Sequence, residues 1–136
     1  MNIRDIPLVK TEGDMFKSIF TRQKELEEKY NVIEKKNGAI IPTLPLDINT
    51  FQGQQRARDI IYRITEELFE AGNTLRNKAW KTSMVPCDVD HFQEELADAL
   101  HFFVQLFLEL GLTSEEVCAL YFKKSEVNRF RQRSAY

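Results

Sequence analysis

Apolar residues recur at steps of three and four along most of this chain, the period of a helix with one buried face. Met15, Phe16, Ile19, Phe20, Leu26 and Tyr30 place a first helix over about Glu12 to Glu34, closed by the Asn37-Gly38 turn. A connector from Ala39 to Asn49 follows, with Pro42 and Pro45 among apolar residues, and is expected to lie on the bundle surface. Only Ala39 to Leu46 carries anything like a strand pattern. The second helix opens at Asn49 or Thr50 and runs to about Lys78, its stripe being Ile61, Ile64, Leu68, Ala71 and Leu75. After a break at Thr82 to Pro86, Asp88 or Asp90 caps a third helix carrying Phe92, Leu96, Ala99, Phe103, Phe107 and Leu110, which stops at Gly111. Thr113-Ser114-Glu115-Glu116 is a capping box for a fourth, with Val117, Leu120, Tyr121 and Val127 before a basic tail.

Four helices on short connections predict an all-α fold of antiparallel neighbours, one domain spanning residues 1–136. The third helix is apolar over most of its circumference, more than a lone bundle needs. That predicts burial at a subunit interface, in a homodimer or a higher even homo-oligomer.

Composition narrows the class. At 43% hydrophobic and 29% charged the chain can build an ordinary core, and a net charge of -2 argues against nucleic acid as a partner. Cys87 and Cys118 lack metal-type spacing and suit a reduced, cytoplasmic protein. The N-terminus has no basic region followed by an apolar run, so no secretory signal is expected. The greasiest stretch, Leu96 to Leu112, is interrupted by Asp98, His101, Gln105 and Glu109; a membrane span is not expected.

The candidate chemistry is acidic. Glu66-Glu67-Leu68-Phe69-Glu70-Ala71 and Glu94-Glu95-Leu96-Ala97-Asp98-Ala99 repeat one pattern on two helices. Each holds carboxylates three positions apart, neighbours on a helix, where like charges cost a few tenths of a kcal/mol. Glu67 stands one step before Leu68 and Glu95 one step before Leu96, so both pairs are expected to flank the apolar face at one rim. One such pair alone is usually a solvated face; two in matching register suggest a cation between them. Oxygen-only donors suit Mg²⁺, with Mn²⁺ able to substitute, and Mg²⁺ shares its shell with phosphates. Glu66 and Glu94 read as solvated, and His101 as a bundle histidine rather than a ligand.

The tail is the opposite pole: Lys123, Lys124, Arg129, Arg131 and Arg133 stand against Glu126 alone. Such cations fit phosphate oxygens, although a solvated basic tail has the same composition. With residues 71–94 between them, Glu67-x-x-Glu70 and Glu95-x-x-Asp98 resemble the signature of the all-α NTP pyrophosphohydrolase superfamily, which includes MazG-like enzymes and dimeric dUTPases. Lys124-Ser125-x-x-Asn128-x-x-Arg131-Gln132-x-x-Ala135-Tyr136 is similar to the ending of its dUTPase and dCTPase/dUTPase branch. That ending usually has Asn at the place of Ser125 and Gly at the place of Ala135. Phe20-Thr21-Arg22-Gln23-Lys24-Glu25-Leu26 looks like the family's first helix.

The resemblance implies Mg²⁺-dependent hydrolysis of a pyrimidine deoxynucleoside triphosphate, dUTP first, to the monophosphate and pyrophosphate. It assigns Glu67, Glu70, Glu95 and Asp98 to metal, with Glu67 also orienting the attacking water and taking its proton. It gives Lys124, Asn128 and Arg131 to phosphate, and Gln23, Asn73 and Trp80 to base and sugar. The alternatives are dCTP or a broad MazG-like range and, in another class, a non-catalytic helical protein that binds through its apolar face.

Overall fold

Asp14 starts the first helix. In the computed structural model, which describes residues 2–9 and 11–134, its carboxylate accepts from Phe16 N and Lys17 N at 3.0 and 3.1 Å, and α1 runs Met15–Lys36. A short 3₁₀ turn, Ile3–Asp5, precedes it. The start falls three residues after the expected Glu12 because the cap, not the first apolar residue, sets it.

Thr50 caps α2 (Phe51–Asn73) through Gly53 N at 3.0 Å. Gly53 is compulsory here, since a Cβ would stand 1.9 Å from the Asp47 carbonyl oxygen. The helix ends at Asn73 rather than Lys78. Thr74 turns its hydroxyl back onto the Ala71 carbonyl at 2.7 Å, and Asn77 clamps Val85 from both sides at 2.7 and 3.1 Å. These side chains offer the backbone partners that a continuing helix would otherwise supply.

Asp88 caps α3 (Val89–Glu109). Gly111, at φ +79°, closes it as Gly111 N and Leu112 N return to the carbonyls of Leu108 and Phe107 at 2.9 and 3.0 Å. The chain then bends by 106° into α4 (Ser114–Arg133), where Thr113 accepts from Glu116 N at 3.1 Å. Ala39 to Leu46 forms no strand. It is a loop packed on the bundle, with Leu46 buried and its N–H donating to the Glu109 carbonyl at 2.7 Å.

The fold is all-α. α2 and α3 form its central pair, and α1 packs against α3. Two contacts fix the pair as antiparallel. Arg56, early in α2, meets Glu109 at the end of α3, while Glu67, late in α2, meets Glu95 early in α3. Ile60, Ile64 and Ala99 with Phe102 and Leu106 form one core cluster; Phe20, Val104 and Val117 with Phe16, Phe107 and Leu108 form the other. Ile60 is fully buried, a contribution of roughly 1.5–3 kcal/mol from one side chain.

The buried line of α2 is Ile60, Ile64 and Ala71, whereas Ile61 and Leu68 are about half exposed. Ile64 and Ala71 of the expected stripe hold, but its other helix positions are rotated by one residue, to Ile60 in place of Ile61 and Glu67 in place of Leu68. On α4 only Val117 of the expected stripe is buried; Leu120, Tyr121 and Val127 are exposed. On α3, Leu96, Leu100 and Phe103 remain 41%, 52% and 45% exposed, one apolar line at helical spacing. Among the described residues no single helix is long and apolar enough to cross a membrane.

Candidate metal centre

The rotated stripe changes how the acids sit. Ile60, Ile64, Glu67 and Ala71 follow steps of four, three and four, and so do Glu95, Ala99, Phe102 and Leu106. Glu67 and Glu95 thus occupy seam positions that would otherwise be apolar, rather than flanking the seam. The helices hold them there because the rest of each line is core.

One carboxylate oxygen from each of Glu67, Glu95 and Asp98 lies within 4.8 Å of the others. Glu70 borders the trio and hydrogen-bonds with Glu95. Carboxylates this close resist ionising together. Burial, then a proton shared with Glu95, then repulsion from Glu70, Asp98 and Glu95 raise Glu67 to about 7. Glu70 is raised chiefly by its contact with Glu95, and Asp98 by burial and then by Glu95. Burial pushes Glu95 up, but hydrogen bonds from Glu67, His91 and Glu70 outweigh it and hold Glu95 below its ordinary value.

Glu95 Oε1 lies 2.9 Å from His91 Nε2, while its Oε2 is buried and, once the neighbouring acids ionise, has no hydrogen-bond partner. An orphaned carboxylate oxygen among all-oxygen donors fits a hard divalent cation such as Mg²⁺. Of the trio, Glu95 lines a cleft of about 570 Å³ together with Glu70, Asn73, Thr74, Arg76 and His91. Sequence reasoning missed Arg76 and His91. His91 stands one helical turn before Glu95, a spacing that could have found it; Arg76 depends on where the loop after α2 turns.

The other expected residues are distributed as follows. Asn73 lines the cleft beside Glu70. Trp80 lies 80% exposed in the connection between α2 and α3 and does not line it. Gln23 is buried in α1, its Oε1 unpartnered, on the wall of a separate groove of about 890 Å³ shared with Ile19, Ala97, Leu100 and His101. Ala97 and His101 bracket Asp98 on α3, so this groove runs along the α1 side of the acids. His101 Nδ1 contacts the Ala97 carbonyl at 2.8 Å, as a bundle histidine does. Lys124, Asn128 and Arg131 are exposed on α4, which packs against α1, and they line neither cavity. Ala135 and Tyr136, the end of the tail pattern, lie outside the described residues. Cys87 and Cys118 are free thiols.

Family profiles, curated proteins and solved structures gave no match to this chain.

Proposed function

We propose that this protein is a Mg²⁺-dependent nucleoside triphosphate pyrophosphohydrolase acting on a pyrimidine deoxynucleoside triphosphate, dUTP first, releasing the monophosphate and pyrophosphate. The observation that carries this reading is the convergence of Glu67, Glu95 and Asp98 within 4.8 Å, with Glu67 and Glu95 at seam positions that apolar side chains would otherwise fill. Mutually repelling carboxylates held half-buried against the core are costly unless a cation lies among them.

Bound Mg²⁺ would supply Lewis acidity toward phosphate oxygens. The chain's own residues do the rest. Glu67, Glu70, Glu95 and Asp98 provide the donors. Glu67 is also the group assigned to orient the attacking water and take its proton. Asn73 lies in the cleft beside the acids, and Gln23 lines the neighbouring groove, where the proposal seats the base. Trp80 belongs to this pocket in the proposal only through movement of its loop.

Lys124, Asn128 and Arg131 belong to the site through a second copy. The exposed line Leu96, Leu100 and Phe103 favours a homodimer, and α4 of one subunit then completes the acidic site of the other. The same line would serve a non-catalytic interaction protein.

The deciding experiment is a hydrolysis panel over the common deoxy- and ribonucleoside triphosphates with and without Mg²⁺, with products identified. Pyrophosphate release from dUTP supports the proposal, and preference for dCTP moves it to the sister activity. Release of inorganic phosphate, or no Mg²⁺-dependent turnover, overturns it.

A further inference from the structure

Away from the acidic seam, α1 buries a polar line: Gln23 at 3% exposure and Glu27 at 5%. Glu27 faces the ion pair of Arg56 on α2 and Glu109 on α3. Two buried carboxylates therefore compete for one buried guanidinium. Arg56 has already chosen: Nε and Nη2 reach the two oxygens of Glu109 at 2.8 and 3.1 Å. Its Nη2 also touches Asn31 and Glu34 at 3.2 and 3.3 Å, and Nη1 lies 3.9 Å from Asp59. Gln105 Nε2 gives Glu109 a third donor at 2.8 Å. Glu27 Oε2 has no hydrogen-bond partner among the described residues, and the amide oxygens of Gln23 and Gln105 are likewise buried and unpartnered. A buried carboxylate oxygen without a donor favours the protonated form, which carries no charge into the core.

We propose that Glu27 is held as a neutral carboxylic acid in the folded protein, and that its ionisation loosens α1 from the α2–α3 pair, carrying Gln23 with it. The charged groups acting on it are Lys24 and Glu28 from α1, Arg56 from α2 and Glu109 from α3. Burial and then Glu109 push its carboxyl up from 4.5 to about 7, against Arg56 and Lys24. The stabilisation is complete below the unfolded value and is lost as pH rises through the folded one. A gap of that size corresponds to a fall on the order of a hundredfold in the folding constant. The groove beside Gln23 would thus be firmest in mildly acidic conditions. This device is separate from the hydrolytic reading and stands whether or not nucleotides are turned over.

The test is metal-free urea denaturation of the full chain from pH 5 to pH 8.5, in the Glu67→Gln background to remove the other glutamate raised to about 7. Glu27→Gln, which copies the shape of the neutral acid, is then added. Expected is a fall in the folding constant on the order of a hundredfold without Glu27→Gln and a clearly flatter profile with it. Carbon-13 carboxyl NMR in the Glu67→Gln protein should show one glutamate titrating near neutrality, which remains readable if the second substitution fails to fold. Amides of α1 should exchange faster relative to α2 at pH 8.5 than at pH 6. Parallel denaturation profiles, no neutral-range glutamate, or α1 exchange unchanged relative to α2 would each overturn the proposal.

Discussion

Glu67 of α2 and Glu95 of α3 meet across the seam that Ile64 and Ala99 close one turn deeper. The core therefore positions the acids, and a change at Glu95 should separate folding from chemistry. Glu95→Gln keeps the side chain's size and removes one of the mutually repelling charges. We expect hydrolysis of dUTP to fall about 100-fold or more, the scale of losing a core donor to a catalytic metal. The metal-free protein should melt at the same temperature or slightly higher. The wild type should gain melting temperature with Mg²⁺ and the variant should not. A rate within a few fold of wild type would mean these acids are not ligands.

The helices, caps and acids were legible because each has a local signal. Thr113 with Glu116 and Gly111 are short-range chemistry and stand where the pattern put them, while Glu67, Glu95 and Asp98 converge as the pattern suggested but with Glu67 and Glu95 on the seam rather than its flank. The face of α2 was misread at two positions because hydrophobicity favours Ile61 and Leu68 where packing turns Ile60 and the half-buried Glu67 toward α3. A charged side chain on the seam disguises the stripe that reveals the core. Equally invisible was the buried polar line of Gln23, Glu27 and Arg56, since no periodicity of apolar residues marks it. The end of α2 at Asn73 depends on Asn77 reaching Val85 across a loop, which no helical window contains.

The raised carboxyl of Glu67 gives metal binding a pH dependence of definite sign. At pH 6 a group shifted to about 7 still holds its proton, and a cation must displace it. The Mg²⁺ or Mn²⁺ concentration for half saturation should rise about tenfold per unit as pH falls below 7 and level off above it. Calorimetric titration in buffers of different ionisation heat should detect about one proton released below pH 7. Affinity independent of pH between 5.5 and 7.5 would contradict the assignment.

Arg56 and Glu109 are buried at 5% and 0% exposure and share two hydrogen bonds. Removing one partner strands the other. Arg56→Met should cost roughly 3–5 kcal/mol in urea unfolding, because the Glu109 carboxylate would remain in the core unpaired. Arg56→Met with Glu109→Leu should recover much of that loss, since a packed apolar pair often equals a buried ion pair. Equal loss in the single and double variants would locate the cost in shape rather than charge.

Gly53 offers a test of the connector before α2. An added methyl would sit 1.9 Å from the Asp47 carbonyl oxygen and 2.9 Å from the Thr50 hydroxyl that caps the helix. Gly53→Ala should destabilise by about 1–3 kcal/mol despite alanine's better helix propensity. Gly72, on the same helix with open space around it, is the control: Gly72→Ala should be neutral or mildly stabilising.

On the proposed dimer, the basic face of α4 serves the acidic seam of the other subunit, and mixing inactive variants can read this directly. One variant carries Glu95→Gln, which disables its own acids but leaves α4 intact. The other carries Lys124→Ala and Arg131→Ala, which disables α4 but leaves the acids. Each alone should be at least 10-fold slower than wild type. After unfolding and refolding together in equal amounts, about half the dimers are mixed. In each of these, one site combines intact acids with an intact α4 from the other chain. Activity should return to about a quarter of wild type, and only if the tail works across the interface. If Lys124 and Arg131 served their own chain's acids, each mixed dimer would hold two damaged sites and mixing would restore nothing. Adding Phe103→Lys to both variants should abolish the recovery, since the apolar line on α3 that would bring the copies together is then broken by a charge.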